Sequence, residues 1–157
     1  MGIQGTPDNP GVVMRPPRLF ALFMMLGIAL FVAWPVALFS SVARGSIGPI
    51  LIGLGVIVMT LAVRRFGSAG TNVPTCLPAE TIVTDGIYRY TRNPMYLSGM
   101  LMFAGIAIAT GNPWMLALVI PFFLIIRYGV IAREERYLEG KFGERYLRYK
   151  ASVRRWL

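Results

Sequence analysis

Four apolar runs separated by short polar intervals restrict this chain to very few folds. A helix rises 1.5 Å per residue, so about 20 apolar residues cross a hydrocarbon layer of about 30 Å. Runs of that order occupy 19–43, 47–63, 95–111 and 113–132 of the 157 residues. Mean hydropathy is +0.59 and 55% of the residues are hydrophobic, well above a water-soluble domain of this size. The expected fold is all-α: a single integral membrane bundle of four transmembrane helices over 19–157. A flexible arm, 1–18, precedes it, with four prolines, three glycines and no periodicity. The first run is too long for a signal-peptide core and lacks a small-residue cleavage site, so it reads as a retained span kinked near Pro35. The second and third runs are short, which calls for tilt or local thinning of the bilayer.

The charge pattern orients the bundle. Sixteen Lys and Arg against seven Asp and Glu give a net charge of +9. Arg15 and Arg18 precede the first run, Arg64, Arg65, Arg89 and Arg92 lie between the second and third, and a basic tail begins at Arg133. The other side carries only Arg44 and the uncharged turn 110–113. Positive loops stay inside, so both termini and the 64–94 loop are expected to be cytoplasmic, in a multi-pass protein of a bacterial inner membrane. Topology and attraction to anionic lipid account for the basicity, and no nucleic-acid partner is expected. There is no histidine, and Cys76 is the single cysteine. The commonest general base and the commonest metal ligand are therefore missing, and neither a metal centre nor a disulfide framework is expected.

Two polar regions flank the last two runs. The 64–94 loop is broken by Gly67, Gly70, Pro74, Pro78 and Asp85-Gly86, while 79–86 has the β-branched character of an extended segment. Its apolar positions Ile82, Val83, Ile87, Tyr88 and Tyr90 suit an ordered lid or wall. Beyond 132, Leu138, Phe142, Tyr146 and Tyr149 form one stripe at helical spacing. That stripe fits either an amphipathic helix lying on lipid or a flap over the cytoplasmic mouth. Gly140 and Gly143 predict that the fourth helix ends near 139 and a short second helix follows. In the second run, Gly48, Gly53 and Gly55 predict close helix contact.

Polar groups at the membrane boundary are expensive and mark functional candidates. Arg127 and Glu134 are seven residues apart, two helical turns, and so are expected on one face. Arg127 also fits a snorkelling role, and Glu134 with Glu135 also fits a solvated helix end. Asn93-Pro94 reads as an N-cap followed by proline at the first helical position.

The stretch GIYRYTRNPMYLSG (86–99), followed after one hairpin by EERYLEGKFGERYLRYKASV (134–153), resembles the C-terminal signature of a family of membrane methyltransferases. That family includes the isoprenylcysteine carboxyl methyltransferases and the phospholipid N-methyltransferases. GLG at 53–55 is similar to a Gly-x-Gly cofactor motif of the phospholipid enzymes. The resemblance implies lipid metabolism: S-adenosylmethionine binds in a cytoplasmic pocket, S-adenosylhomocysteine leaves, and a membrane-embedded acceptor receives the methyl group. The acceptor would be an isoprenylcysteine-type carboxylate or a phospholipid headgroup amine. Cofactor contacts would fall on Glu80, Thr81, Ile82 and Val83, on Tyr88 and Arg92, on Asn93, Pro94, Met95 and Tyr96, and on Glu134 and Glu135. Arg127 would orient an anionic acceptor or the cofactor carboxylate, and an ammonium acceptor would need a base, for which Glu134 or Glu135 is the candidate. Asn93 stands where the carboxyl methyltransferases usually carry His, which leaves the substrate open. Two other readings are an NADPH-dependent membrane enzyme similar to the sterol reductases and a non-catalytic membrane subunit. Methyl transfer from a sulfonium is a direct displacement that needs alignment and dehydration more than acid–base chemistry. A histidine-free chain can perform it.

Overall fold

The computed structural model describes residues 8–71 and 77–157. The lone Cys76, the break at Pro74 and the first seven residues of the arm lie outside the described residues. The chain forms α1 (Pro16–Ala33), α2 (Gly48–Ser68), α3 (Pro94–Thr110), α4 (Pro113–Leu124), α5 (Ala132–Phe142) and α6 (Glu144–Ser152). No strand occurs among the described residues, so 79–84 is an unpaired loop segment.

Prolines set most of the helix boundaries. Pro16-Pro17 starts α1, where a missing N–H is harmless. The first apolar run does not continue as one kinked helix to 43: α1 stops at Ala33, because Pro35 can neither donate to the ladder nor clear the preceding carbonyl. The second run is longer than expected. A π turn, Ala43–Ile47, leads into α2, and the combined helix Ala43–Ser68 has 26 residues. A second π turn, Ile125–Ile131, follows Pro121 and joins α4 to α5 as one helix, Pro113–Phe142. Helices Pro16–Ala33, Ala43–Ser68 and Pro113–Phe142 are long and apolar enough to cross a membrane, and α3 is apolar with 17 residues. Their outward faces carry Leu22, Met25, Ile28, Leu54, Ile57, Ile120 and Leu124, all exposed.

Packing uses two devices. Glycines let α2 and α3 touch backbone to backbone. A methyl group on Gly48 would come within 2.7 Å of the Ala109 backbone, and one on Gly105 within 2.9 Å of the Gly48 carbonyl. Small residues at such contacts replace the hydrophobic drive that lipid cannot supply. Gly55 belongs to this seam, against Ser98 and Met102, whereas Gly53 is exposed with open space beside it. Aromatic rings join α1, α3 and α4 instead: Phe103 lies 5.2 Å from Phe122 and 5.7 Å from Phe20, separations at which ring pairs attract.

At the far end from the α3–α4 turn, the helix through α5 runs to Phe142, and Gly143 at φ +50° reverses the chain into α6. The stripe Leu138, Phe142, Tyr146 and Tyr149 packs inward with Ala62, Ile82, Val83 and Tyr88. The stripe is thus covered by the loop and α2 and packs against the rest of the chain.

Candidate active site

Folding α5 and α6 back over the ends of α1, α2 and α3 encloses a cavity of about 770 Å³, within the range that holds a cofactor. Its floor is membrane-side and apolar, with Phe20, Met59, Gly99, Met100, Phe122 and Ile126. Its upper wall is polar and aromatic.

The loop after α2 supplies one wall because its backbone is tied at both ends. Thr71 Oγ1 accepts from the Glu80 N–H at 3.0 Å and the Thr81 N–H at 3.4 Å, and the Tyr137 hydroxyl accepts from the Ala79 N–H at 3.2 Å. This fixes Thr81, Ile82 and Val83 on the cavity. Gly86, at φ +56°, turns the chain into a 3₁₀ turn, Gly86–Arg89, that buries Tyr88. The Tyr149 hydroxyl donates to the Tyr88 carbonyl at 2.7 Å, joining loop and α6. Burial raises the phenols of Tyr88 and Tyr149, and pushes Tyr146 up to about 12, where Glu135 adds to the effect. All three stay protonated donors at any physiological pH.

The two adjacent glutamates have separate environments. Glu135 is buried, with Arg92 Nη1 at 3.3 Å and the Arg155 fork on both of its oxygens. Glu134 lines the cavity, as does Tyr96. Arg92 is itself a cavity residue whose side chain is 8% exposed, and its Nε and Nη1 have no hydrogen-bond partner.

Of the residues expected at the site, Thr81, Ile82, Val83, Tyr88, Arg92, Asn93, Pro94, Met95, Tyr96, Glu134 and Glu135 all face this one cavity. Glu80 does not. It is exposed, because the bonds to Thr71 hold its backbone while the side chain leaves the wall. Arg127 is absent from the lining and lies over the Tyr128 ring at 5.4 Å. The π turn between Arg127 and Glu134, whose bonds reach five residues back instead of four, removes the two-turn register that would have stacked them. The glycines of GLG are likewise absent from the lining, since Gly55 serves the α2–α3 seam. Asn93 is at the N-cap position but its side chain does not cap α3, donating instead to the Arg155 carbonyl at 2.9 Å. Gly99 borders the cavity with nothing within 4 Å of where a methyl group would project.

Three contributors escaped sequence reasoning. Thr71 has no motif around it, and Arg155 is one more arginine in a basic tail. The arm was the third: Asp8 accepts from Tyr137 at 2.7 Å and from Lys141 at 2.7 Å, and Arg133 donates to the Gly11 carbonyl at 2.7 Å. These contacts carry Pro10 and Arg15 across the cavity mouth.

An uncharacterized protein of Haemophilus influenzae is 51% identical over 63 residues, 40% of this chain and the whole of that protein. No solved structure matches. The family model for phospholipid methyltransferase matches residues 43–145, which include most of the cavity wall; the chain belongs to the phospholipid methyltransferase family.

Proposed function

We propose that the protein transfers a methyl group from S-adenosylmethionine to a membrane-embedded lipid-like acceptor, with a phospholipid headgroup amine as the acceptor the site favours. The observation that carries this reading is the cavity itself: eleven residues singled out from sequence line one open-mouthed cavity of about 770 Å³. S-adenosylmethionine, when bound, supplies a methyl group already activated on a sulfonium centre. The fit rests on Arg92, a buried guanidinium of the cavity lining whose Nε and Nη1 make no hydrogen bond although Nη1 lies 3.3 Å from Glu135, the chemistry that receives a ligand carboxylate. Tyr88, Tyr146 and Tyr149 offer neutral hydroxyls and ring faces to an adenosine.

Glu134 distinguishes the acceptors. Glu135 is neutralised by two arginines, so Glu134 is the carboxylate left to face the cavity. A headgroup ammonium must lose a proton before its nitrogen lone pair can attack, and Glu134 is placed to accept that proton. A carboxylate acceptor needs no base and would set a second anion beside Glu134. Four membrane crossings, with α3 as the short one, and a cytoplasmic cavity complete the proposed topology; the arginine clusters at the cavity end support it.

The test uses the purified protein in lipid nanodiscs. S-adenosylhomocysteine is expected to bind and NADPH is not; the reverse result would favour the reductase reading, and binding of neither would leave a non-catalytic subunit. With methyl-labelled S-adenosylmethionine and mixed lipids, label is expected in the aminophospholipid fraction. Label confined to prenylated cysteine esters would transfer the assignment to the carboxylate acceptor.

A further inference from the structure

The cavity carries its unpaired charges in two places. Glu134 stands on the wall with no ion pair among the described residues, while Glu135 is taken by Arg92 and Arg155. The mouth carries Arg15 and Arg18. Both are exposed, and neither side chain has a hydrogen bond or an ion pair among the described residues. Their backbone is fixed. The Val13 N–H donates to the Gly129 carbonyl at 3.2 Å, and the Arg15 carbonyl accepts from the Arg18 N–H at 2.9 Å and the Leu19 N–H at 3.2 Å. The first turn of α1 has no acidic residue, so two cations three residues apart stand at the positive end of a helix dipole, an arrangement that an anion relieves. Orienting the bundle needs arginines on this side of the membrane and is indifferent to whether they line a cavity. Depth matters as well. Arg18 and Phe20 both line the cavity, and Leu22 and Met25 beyond them are exposed, so charge gives way to apolar surface within about two turns of helix, the level of a lipid headgroup.

We propose that Arg15 and Arg18 bind the phosphodiester of the acceptor lipid at the cavity mouth, and so admit a zwitterionic phospholipid with its ammonium toward Glu134. This rests on the reading of the cavity as the site of methyl transfer to a phospholipid amine. A phosphodiester is an anion with paired oxygens, the shape a guanidinium fork matches. The ammonium calls for the opposite charge, which the Glu134 carboxylate supplies on the same lining. Free cations at the mouth and a free carboxylate on the wall therefore complement the two ends of one headgroup, and the apolar floor of Phe20, Met59 and Met100 receives what is attached to it. An amine lipid without a phosphate would meet only half of this pattern. Arg15 and Arg18 lie outside residues 43–145, the stretch matched by the family model.

The experiment follows methyl transfer by the full chain in dodecyl maltoside micelles, which carry no phosphate, as the mole fraction of phosphatidylethanolamine is varied. Arg15→Gln with Arg18→Gln should raise KM for the lipid about tenfold or more, the scale of one lost charge-assisted hydrogen bond. Its kcat and its affinity for S-adenosylhomocysteine should stay within about twofold of the unmodified protein, because the wall is untouched. The pair Arg15→Lys with Arg18→Lys, which keeps charge without the fork, should fall between, and it stands in if the Gln pair does not fold. Arg64→Gln with Arg89→Gln removes two exposed arginines from outside the cavity lining and should leave KM unchanged. Glycerophosphoethanolamine, the headgroup without chains, should compete with the lipid, and inorganic phosphate at the same concentration should compete far less. An unchanged KM in both cavity variants overturns the proposal. So does an equal rise in the Arg64 and Arg89 variant, which marks general attraction of the surface for lipid, and so does equal competition by inorganic phosphate. A loss of S-adenosylhomocysteine affinity in step with the rise in KM also overturns it, giving these arginines to the cofactor. If the unmodified protein binds S-adenosylhomocysteine but labels no phosphatidylethanolamine, the reading of the acceptor fails, and this proposal with it.

Discussion

Asn-Pro opens two helices in this protein, α3 at Asn93-Pro94 and α4 at Asn112-Pro113, and the two asparagines do different work. Asn112 sits in extended backbone, φ −90° and ψ 101°, the conformation a capping residue needs. Its Oδ1 accepts from the Met115 N–H at 3.0 Å and its Nδ2 donates to the Gly27 carbonyl at 2.9 Å, so one buried amide caps α4 and clasps α1. Asn93 has ψ near 50° and no capping bond. Its amide reaches out of the helix to the tail, and its own N–H donates to Thr91 at 3.2 Å. A dipeptide therefore fixes where a helix begins, while neighbours decide whether its side chain serves the helix or something else. The Asn112 end is closed on itself; the Asn93 end leaves its polar groups to a cavity.

This contrast can be broken by substitutions at either end. The largest expected effect is at the open end: Glu134→Gln should lower methyl transfer to an amine acceptor by about 100-fold or more, the usual range for a lost general base, with S-adenosylhomocysteine still bound. A rate within a few-fold of normal would mean that Glu134 is structural and the open end is not catalytic. Next is the closed end. Asn112→Ala loses the cap and the bond that clasps α1 at the Gly27 carbonyl, a destabilisation of about 2 kcal/mol that thermal unfolding in detergent would register, with ligand affinity of the folded protein unchanged. Asn93→Ala should be milder in stability, about 1 kcal/mol for one lost hydrogen bond, because Thr91 still holds the Arg155 carbonyl. It should weaken ligand binding more than Asn112→Ala does. If the two asparagine variants behaved alike in both measurements, the contrast would be wrong.

The smallest effect concerns the arm across the cavity mouth. Hydrogen bonds from Lys141 and then Tyr137 hold the Asp8 carboxyl below its ordinary value of 3.8. A depressed folded value means that the contact contributes fully above the ordinary aspartate range and fades as pH falls through the lower one. Amide exchange of residues 8–13, corrected for its intrinsic pH dependence, should stay flat above about pH 4 and rise below it. Asp8→Asn should abolish that step.

The division between what was legible and what was not follows from range. Helix existence was readable because each run is long and its prolines act locally. The end of α1 was misplaced because the run is apolar on both sides of Pro35, so hydropathy has no edge there, and α2 was drawn short because its helix continues through the charged Arg64 and Arg65 to Ser68. The loop wall and the Glu134-Glu135 pair were singled out from local motif, and both border the cavity. Arg127 was misassigned because periodicity assumes 3.6 residues per turn, and the π turn at Ile125–Ile131 breaks that assumption between it and Glu134. GLG was misread because a glycine needed for a helix seam looks the same in sequence as one needed by a ligand.

The sequence by itself determined that this chain forms apolar helices with a charged, aromatic end, since hydropathy and proline placement act over a few residues and need no partner. Only the tertiary structure decided how that end is used. Of the two adjacent glutamates on the cavity, Glu135 pairs with Arg92 and with Arg155, the latter 20 residues away in the chain. Pairing energies of buried charges turn on distances of an ångström between distant segments, and no local pattern records those distances.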